Sequence, residues 1–223
     1  MNSVTLLGAR RRWFALAMPL LFVASVACGV VGRAGEGPVT SVHRDVATFT
    51  RVQASNGIGV TIEIGPNTSV DVSAQGNLQP LIATEVENGT LTVRTTEAIS
   101  TSASIGVTIA MPDIDGISLS GGSPGVVTGV AGDRFDVTLD GGATLTASGQ
   151  ANRIILNCAG GAAAELGELL AASVAVNADG GASATVNASD EVSGRASGGA
   201  SVVVRGDAIL NVESSGGASV SRG

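Results

Sequence analysis

The 223 residues carry 12 arginines, no lysine and 19 carboxylates, for a net charge of −7, with 44% apolar residues but only 2% aromatic ones and 32 glycines. The wealth of β-branched residues excludes a disordered chain. Glycine without a proline excess or a three-residue period excludes collagen, and the acidic balance disfavours nucleic acid or an anionic lipid surface as a partner, since both need a basic face.

Residues 1–27 have the pattern of a secretory signal. Arg10, Arg11 and Arg12 supply the positive start, and Trp13 to Val26 form an uncharged apolar run. That run is short of the roughly 20 apolar residues that span a bilayer. Without the three arginines the remainder carries −10. Ala24-Ser25-Val26-Ala27-Cys28-Gly29 resembles a bacterial lipobox. In a lipoprotein the Cys28 thiol carries a diacylglycerol and becomes the new N-terminus, and each buried CH₂ of its chains adds about 0.8 kcal/mol of membrane affinity. Plain cleavage after Ala27 is the alternative, and Arg11-Arg12-Trp13-Phe14 also resembles a twin-arginine signal. Residues 28–45 then read as a lipidated cysteine and a flexible tether, rich in glycine and small residues over 29–41.

Residues 46–117 hold five alternating segments: FTRVQAS, IGVTIEIG, TSVDVSAQ, GTLTVRTT and GVTIAMP. Period-two alternation predicts strands with one buried face. Pro66-Asn67, Asn88-Gly89 and Pro112-Asp113 mark turns, and Asn88-Gly89 predicts a hairpin. These strands are expected to start a stack and cap its open end.

From residue 118 onward the chain repeats. Gly-Gly followed by Ala or Ser recurs at Gly121-Gly122, Gly141-Gly142, Gly160-Gly161, Gly180-Gly181, Gly198-Gly199 and Gly216-Gly217, at spacings of 18 to 20 residues. Two places before each pair stand Leu119, Leu139, Cys158, Ala178, Ala196 and Ser214. Four places before stand Ile117, Val137, Leu156, Val176, Gly194 and Val212. The columns between them are mostly polar. The pattern predicts an all-β, single-stranded parallel β-helix over 46–223, right-handed, with 18–20 residues per rung and two short strands joined at each Gly-Gly corner. A single rung cannot bury its inward face, so the rungs must stack. Glycine pairs at this spacing would break any helix.

The segments FTRVQASNGIGVTIEIG, ENGTLTVRT and VTIAMPDIDGISLSG, with the later SGGA repeats, resemble the bacterial "putative auto-transporter adhesin, head GIN domain" family over about residues 46–223. The resemblance implies a parallel β-helix in the cell envelope and no catalytic residues. An autotransporter carries a C-terminal membrane barrel. The 223 residues show none, so a lipid on Cys28 would place the anchor at the N-terminus instead.

Candidate sites are few. His43 is the only histidine and reads as a surface side chain. Asp140 and Asp179 precede glycine pairs two rungs apart, roughly 9–10 Å at 4.8 Å per rung, at the edge of the range for an inverting carboxylate pair. Asp133 and Asp136 lie on the neighbouring strand. Solvated corner carboxylates are the simpler reading. The aspartate of calcium-binding repeats is missing, which leaves only loose candidates at Asp113/Asp115 and Asp190/Glu191. Cys158 falls in an inward column and reads as a buried small hydrophobe. Thr138, Asn157, Asn177, Asn187 and Asn211 lie in polar columns that could form a recognition surface. No cofactor or metal is expected. The expected function is a non-enzymatic envelope lipoprotein presenting its β-helix to a protein or glycan, for adhesion or binding. An envelope structural or signalling module with a protein partner is the alternative, and a polysaccharide-active enzyme the weaker one.

Overall fold

A computed structural model of the chain describes residues 32–223. The expected export signal and Cys28 lie outside the described residues. The strands are β1 (Arg33–Ala34), β2 (Val39–His43), β3 (Arg51–Ala54), β4 (Gly59–Ile64), β5 (Ser69–Gln75), β6 (Ile82–Glu87), β7 (Thr90–Thr95), β8 (Ile99–Ser100) and β9 (Gly106–Met111). They continue with β10 (Gly116–Leu119), β11 (Pro124–Leu139), β12 (Thr144–Cys158), β13 (Ala163–Ala178), β14 (Ser183–Ala196), β15 (Ser201–Arg205), β16 (Ile209–Ser214) and β17 (Ser219–Arg222).

The expected parallel β-solenoid is what forms, with about five turns. β10, β11, β12, β13 and β14 stack in parallel register, so that Leu119, Leu139, Cys158, Ala178 and Ala196 fall in one column. All five are 1% exposed or less. Phe135, Ile154, Val174 and Val192 form a second buried column, and Ala143, Ala162, Ala182 and Ala200 a third. Small residues at the corners and branched ones on the flats let opposing walls approach closely, which is how a thin bore reaches interior packing density.

Two short strands per rung were expected. Instead each turn is one nearly continuous strand of 14–16 residues, from β11 to β14, bent where the register shifts. Between β11 and β12 the shift falls at Thr128/Val130. The bend at Gly149 cannot take a side chain, because its φ is +128° and a Cβ there would overlap the Val130 carbonyl.

The chain order at the start of the stack is not the spatial order. β3 pairs in parallel with both β10 and β7, and β4 pairs in parallel with both β11 and β9. The turn made by β3 and β4 is therefore sandwiched between β7–β9, which comes later in sequence, and β10–β11. Beyond these, β6 runs antiparallel to β7, β5 antiparallel to β9, and β2 antiparallel to β5. The Asn88-Gly89 hairpin is present, with Glu87 opposite Thr90 and positive φ at both turn residues.

The expected flexible tether is ordered from Arg33 onward. β1 pairs with β8 and β2 with β5. Side chains tie this strap down. Asn77 donates to the Ala34 carbonyl at 2.7 Å, Gln75 to that of Gly37 at 3.0 Å, and Gln79 to that of Thr40 at 2.8 Å. A glycine-rich composition left these residues free to bend, and the polar groups of the 75–79 turn chose their path.

Candidate binding face

The corners set the geometry of the outer surface. Each Gly-Gly pair sits in a tight turn closed by a backbone hydrogen bond at 3.2–3.4 Å, in which the Ser123 N–H donates to the Ser120 carbonyl in the first corner and the Ala218 N–H to the Ser215 carbonyl in the last. The first glycine of every pair has φ between +59° and +71°. A Cβ on Gly198 would stand 3.0 Å from the backbone N and O of Gly180 in the turn below. Positive φ and this close stacking together explain why glycine recurs here.

A seventh corner was missed in the sequence. Asn56-Gly57 joins β3 to β4 with φ of +64° and +74°, its turn closed by the Ile58 N–H donating to the Ser55 carbonyl. Gly121 stacks on Asn56, whose backbone N would lie 3.1 Å from a Cβ on Gly121. Asparagine tolerates the left-handed region better than other side chains, and here its amide donates to Thr95 Oγ1 at 2.8 Å. The signal was SNGIGV set against SGGSPGV. The 65-residue gap before Gly121 hid it, because β5 to β9 intervene.

Stacked strands place one polar column on the outer face before the corners: Gln53, Ser118, Thr138, Asn157, Asn177, Arg195 and Glu213. Asn177 Nδ2 donates to Asn157 Oδ1 at 3.0 Å, the start of an amide ladder. The corner row beside it carries Asp140, Ala159, Asp179 and Ser197, each following the buried column by one residue. Between the two rows lies a groove of about 500 Å³. Asp140 Oδ1 accepts the N–H of Gly141 at 2.7 Å, and Asp179 Oδ1 that of Gly180 at 2.7 Å and the hydroxyl of Ser197 at 2.8 Å. The Ser197 and Gly180 hydrogen bonds hold the Asp179 carboxyl below its ordinary pKa. A general acid in glycoside hydrolysis needs the opposite shift.

The remaining candidates are dispersed. Asp136 binds Arg51 and Arg134, while Asp133 accepts from Asn152 at 2.6 Å. Asp113 caps the N–H of Ile114, Asp190 accepts from Ser189, and Glu191 accepts from Asn211. Asn187 donates to the Gly167 carbonyl and so faces away from Asn157 and Asn177. His43 lies on the exposed strand β2, 3.2 Å from Asp71. Among the described residues no group of three or more His, Cys, Asp or Glu side chains is placed to hold a metal ion. Cys158 is buried, and burial pushes its thiol up to about 11. A second cavity, of about 640 Å³, lies where the long loop before β9 overhangs the Asn56-Gly57 corner.

Residues 48–208 match the model of the family described as "Putative auto-transporter adhesin, head GIN domain". The chain belongs to this family. Its fold is shared by solved structures at low identity. A "putative adhesin" from Bacteroides fragilis is 18% identical, with a TM-score of 0.69, over 86% of this chain and 100% of that one. A "putative adhesin" from Parabacteroides distasonis is 17% identical, with a TM-score of 0.54, over 86% and 100%. A "putative lipid binding protein" from the same species is 15% identical, with a TM-score of 0.50, over 85% and 98%. No curated protein matches the sequence. Membership of an adhesin family supports surface or envelope exposure and a binding role. No helix among the described residues is long and apolar enough to cross a membrane.

Proposed function

We propose that this protein is an exported lipoprotein, anchored through Cys28, whose β-helix works as a non-enzymatic adhesion or binding module on the cell envelope. The observation that carries this reading is the outer face itself. A polar column runs along the stack beside a corner row, and the corner carboxylates of Asp140 and Asp179 are held by turn N–H groups rather than paired for acid–base work. The family and the lipobox-like sequence before Cys28 support it. Rigidity favours such a role: a face built from a stacked backbone is already organised before a ligand arrives, which lowers the cost of binding.

Protease shaving of intact cells tests the location. Release of peptides from residues 40–223 without lysis is the expected result, with mass spectrometry of the mature N-terminus showing acylated Cys28. Protection until lysis would instead favour an inward-facing structural or signalling module with a protein partner.

A further inference from the structure

We propose that the groove between the Asn157–Asn177 ladder and the Asp140–Ala159–Asp179 corner row binds a neutral β-1,4-linked glycan chain lying along the stack. This deepens the binding-module reading and rests on it.

Three features of the groove select this ligand. The first is its chemistry. Thr138, Asn157 and Asn177 offer hydroxyl and amide groups that both donate and accept, and Asp140 and Asp179 add acceptors. Each aspartate spends Oδ1 on its own turn, which leaves Oδ2 free for ligand hydroxyls. The lining holds no aromatic side chain and a single arginine, Arg195, so it lacks the Trp and Tyr anchors enriched in protein–protein contacts. A hydroxyl-rich chain is what such a surface can satisfy.

The second feature is the period. Rungs advance by about 4.8 Å, close to the length of one pyranose unit. An extended peptide presents side chains on one face about every 6.7 Å, and falls out of step within two rungs.

The third is the alternation. Successive sugars in a β-1,4 chain are turned over, so the same edge faces the protein at every second unit. The corner row alternates likewise: carboxylate at Asp140, only a methyl at Ala159, carboxylate at Asp179. The two aspartates stand about two rungs apart, roughly 10 Å, which matches a disaccharide repeat. Ala159 leaves room for the bulky substituent of the inverted sugar between them.

The mature full-length protein, purified from membranes in detergent, is titrated with a β-1,4-linked N-acetylglucosamine hexamer and, separately, with an α-1,4-linked glucose hexamer. Calorimetry reads affinity, and NMR reads the side-chain amides of Asn157 and Asn177. We expect binding of the β-linked hexamer alone, with shifts at both amides. Ala159→Arg fills the notch from outside and should weaken binding by about tenfold or more, some 1.4 kcal/mol. Asp140→Asn with Asp179→Asn, which keeps shape, should also weaken it, while Arg153→Ala outside the groove should not. Peptidoglycan sacculi form the second arm: retention on sacculi assigns the cell's own wall as the source of the glycan, and binding of the free hexamer alone assigns a foreign one. Equal binding of both hexamers, no binding of either, or indifference to Ala159→Arg in a variant that melts normally would overturn the proposal. If no glycan binds while shaving still releases the solenoid from intact cells, the binding-module reading stands and this one falls.

Discussion

Arg51 Nη2 lies 2.9 Å from Asp136 Oδ2, although the two residues are not on neighbouring rungs. Gly116 sits between them, paired with Arg51 on one side and Asp136 on the other. A Cβ on Gly116 would stand 2.7 Å from the Asp136 carbonyl and 3.1 Å from the Arg51 guanidinium. The missing side chain thus lets an ion pair clamp the sandwiched β3–β4 turn to the first regular repeat. Arg134 adds a second contact to the same carboxylate, at 2.6 Å.

This clamp makes stability sensitive to acid. Burial raises the proton affinity of Asp136, but the Arg134 and Arg51 hydrogen bonds outweigh it and the pKa is lowered. A carboxyl with a depressed folded pKa stabilises the fold above its unfolded value, near 3.9, and loses that contribution as pH falls through the folded value. Asp136→Asn should cost about 1 kcal/mol at neutral pH, a figure kept small because both arginines are partly solvated. Thermal melts of the two proteins should converge as the pH falls through the depressed folded pKa of Asp136. A constant gap across the acid range would show that the carboxylate charge contributes nothing.

Ser123 offers a stabilising change. It occupies the inward position filled by Ala143, Ala162, Ala182 and Ala200 in later turns, is fully buried, and its hydroxyl has no hydrogen-bond partner. Replacing an unsatisfied buried hydroxyl with a methyl removes a desolvation penalty of about 1–3 kcal/mol. Ser123→Ala should raise the midpoint of denaturant unfolding without changing the slope. A lowered midpoint would reveal a partner for the hydroxyl.

Glycine-to-alanine substitutions should fall in a fixed order. At Gly122, φ is +77° with open space around the position, so only the backbone cost applies, about 1–2 kcal/mol. Gly198 adds a contact at 3.0 Å to backbone, and Gly149 a direct overlap with the Val130 carbonyl. Melting temperatures should therefore drop least for Gly122→Ala, more for Gly198→Ala and most for Gly149→Ala. An equal drop at all three would mean that left-handed strain alone decides.

Cys158 should resist alkylation. Its thiol is buried and pushed up to about 11, so at pH 8 almost none is thiolate, the reactive form. Iodoacetamide should leave it unmodified in the native protein and modify it fully in denaturant, as read by intact mass. Rapid native labelling would place this wall of the bore in frequent exchange with solvent.

By itself the sequence determined the repeat, its inward columns, the Gly-Gly corners and the Asn88-Gly89 hairpin, because each is fixed by neighbours along the chain. Alternation sets which side chains point inward, and glycine meets the positive φ of a tightly stacked turn without steric cost. Tertiary structure alone decided the rest. The Asn56-Gly57 corner, the insertion of β3–β4 between β7–β9 and β10–β11, and the strap at 33–43 all depend on pairings between distant segments. The same limit shows within one five-letter word. SGGAS occurs at 197–201 and at 215–219. In the first copy only Gly198 has positive φ, and the Gly199 N–H turns to the Gly180 carbonyl at 2.6 Å. In the second both glycines have positive φ, Gly217 at +90°. Without a Cβ, glycine permits either peptide orientation, so the same five residues adopt two corner conformations and the choice lies outside the local sequence.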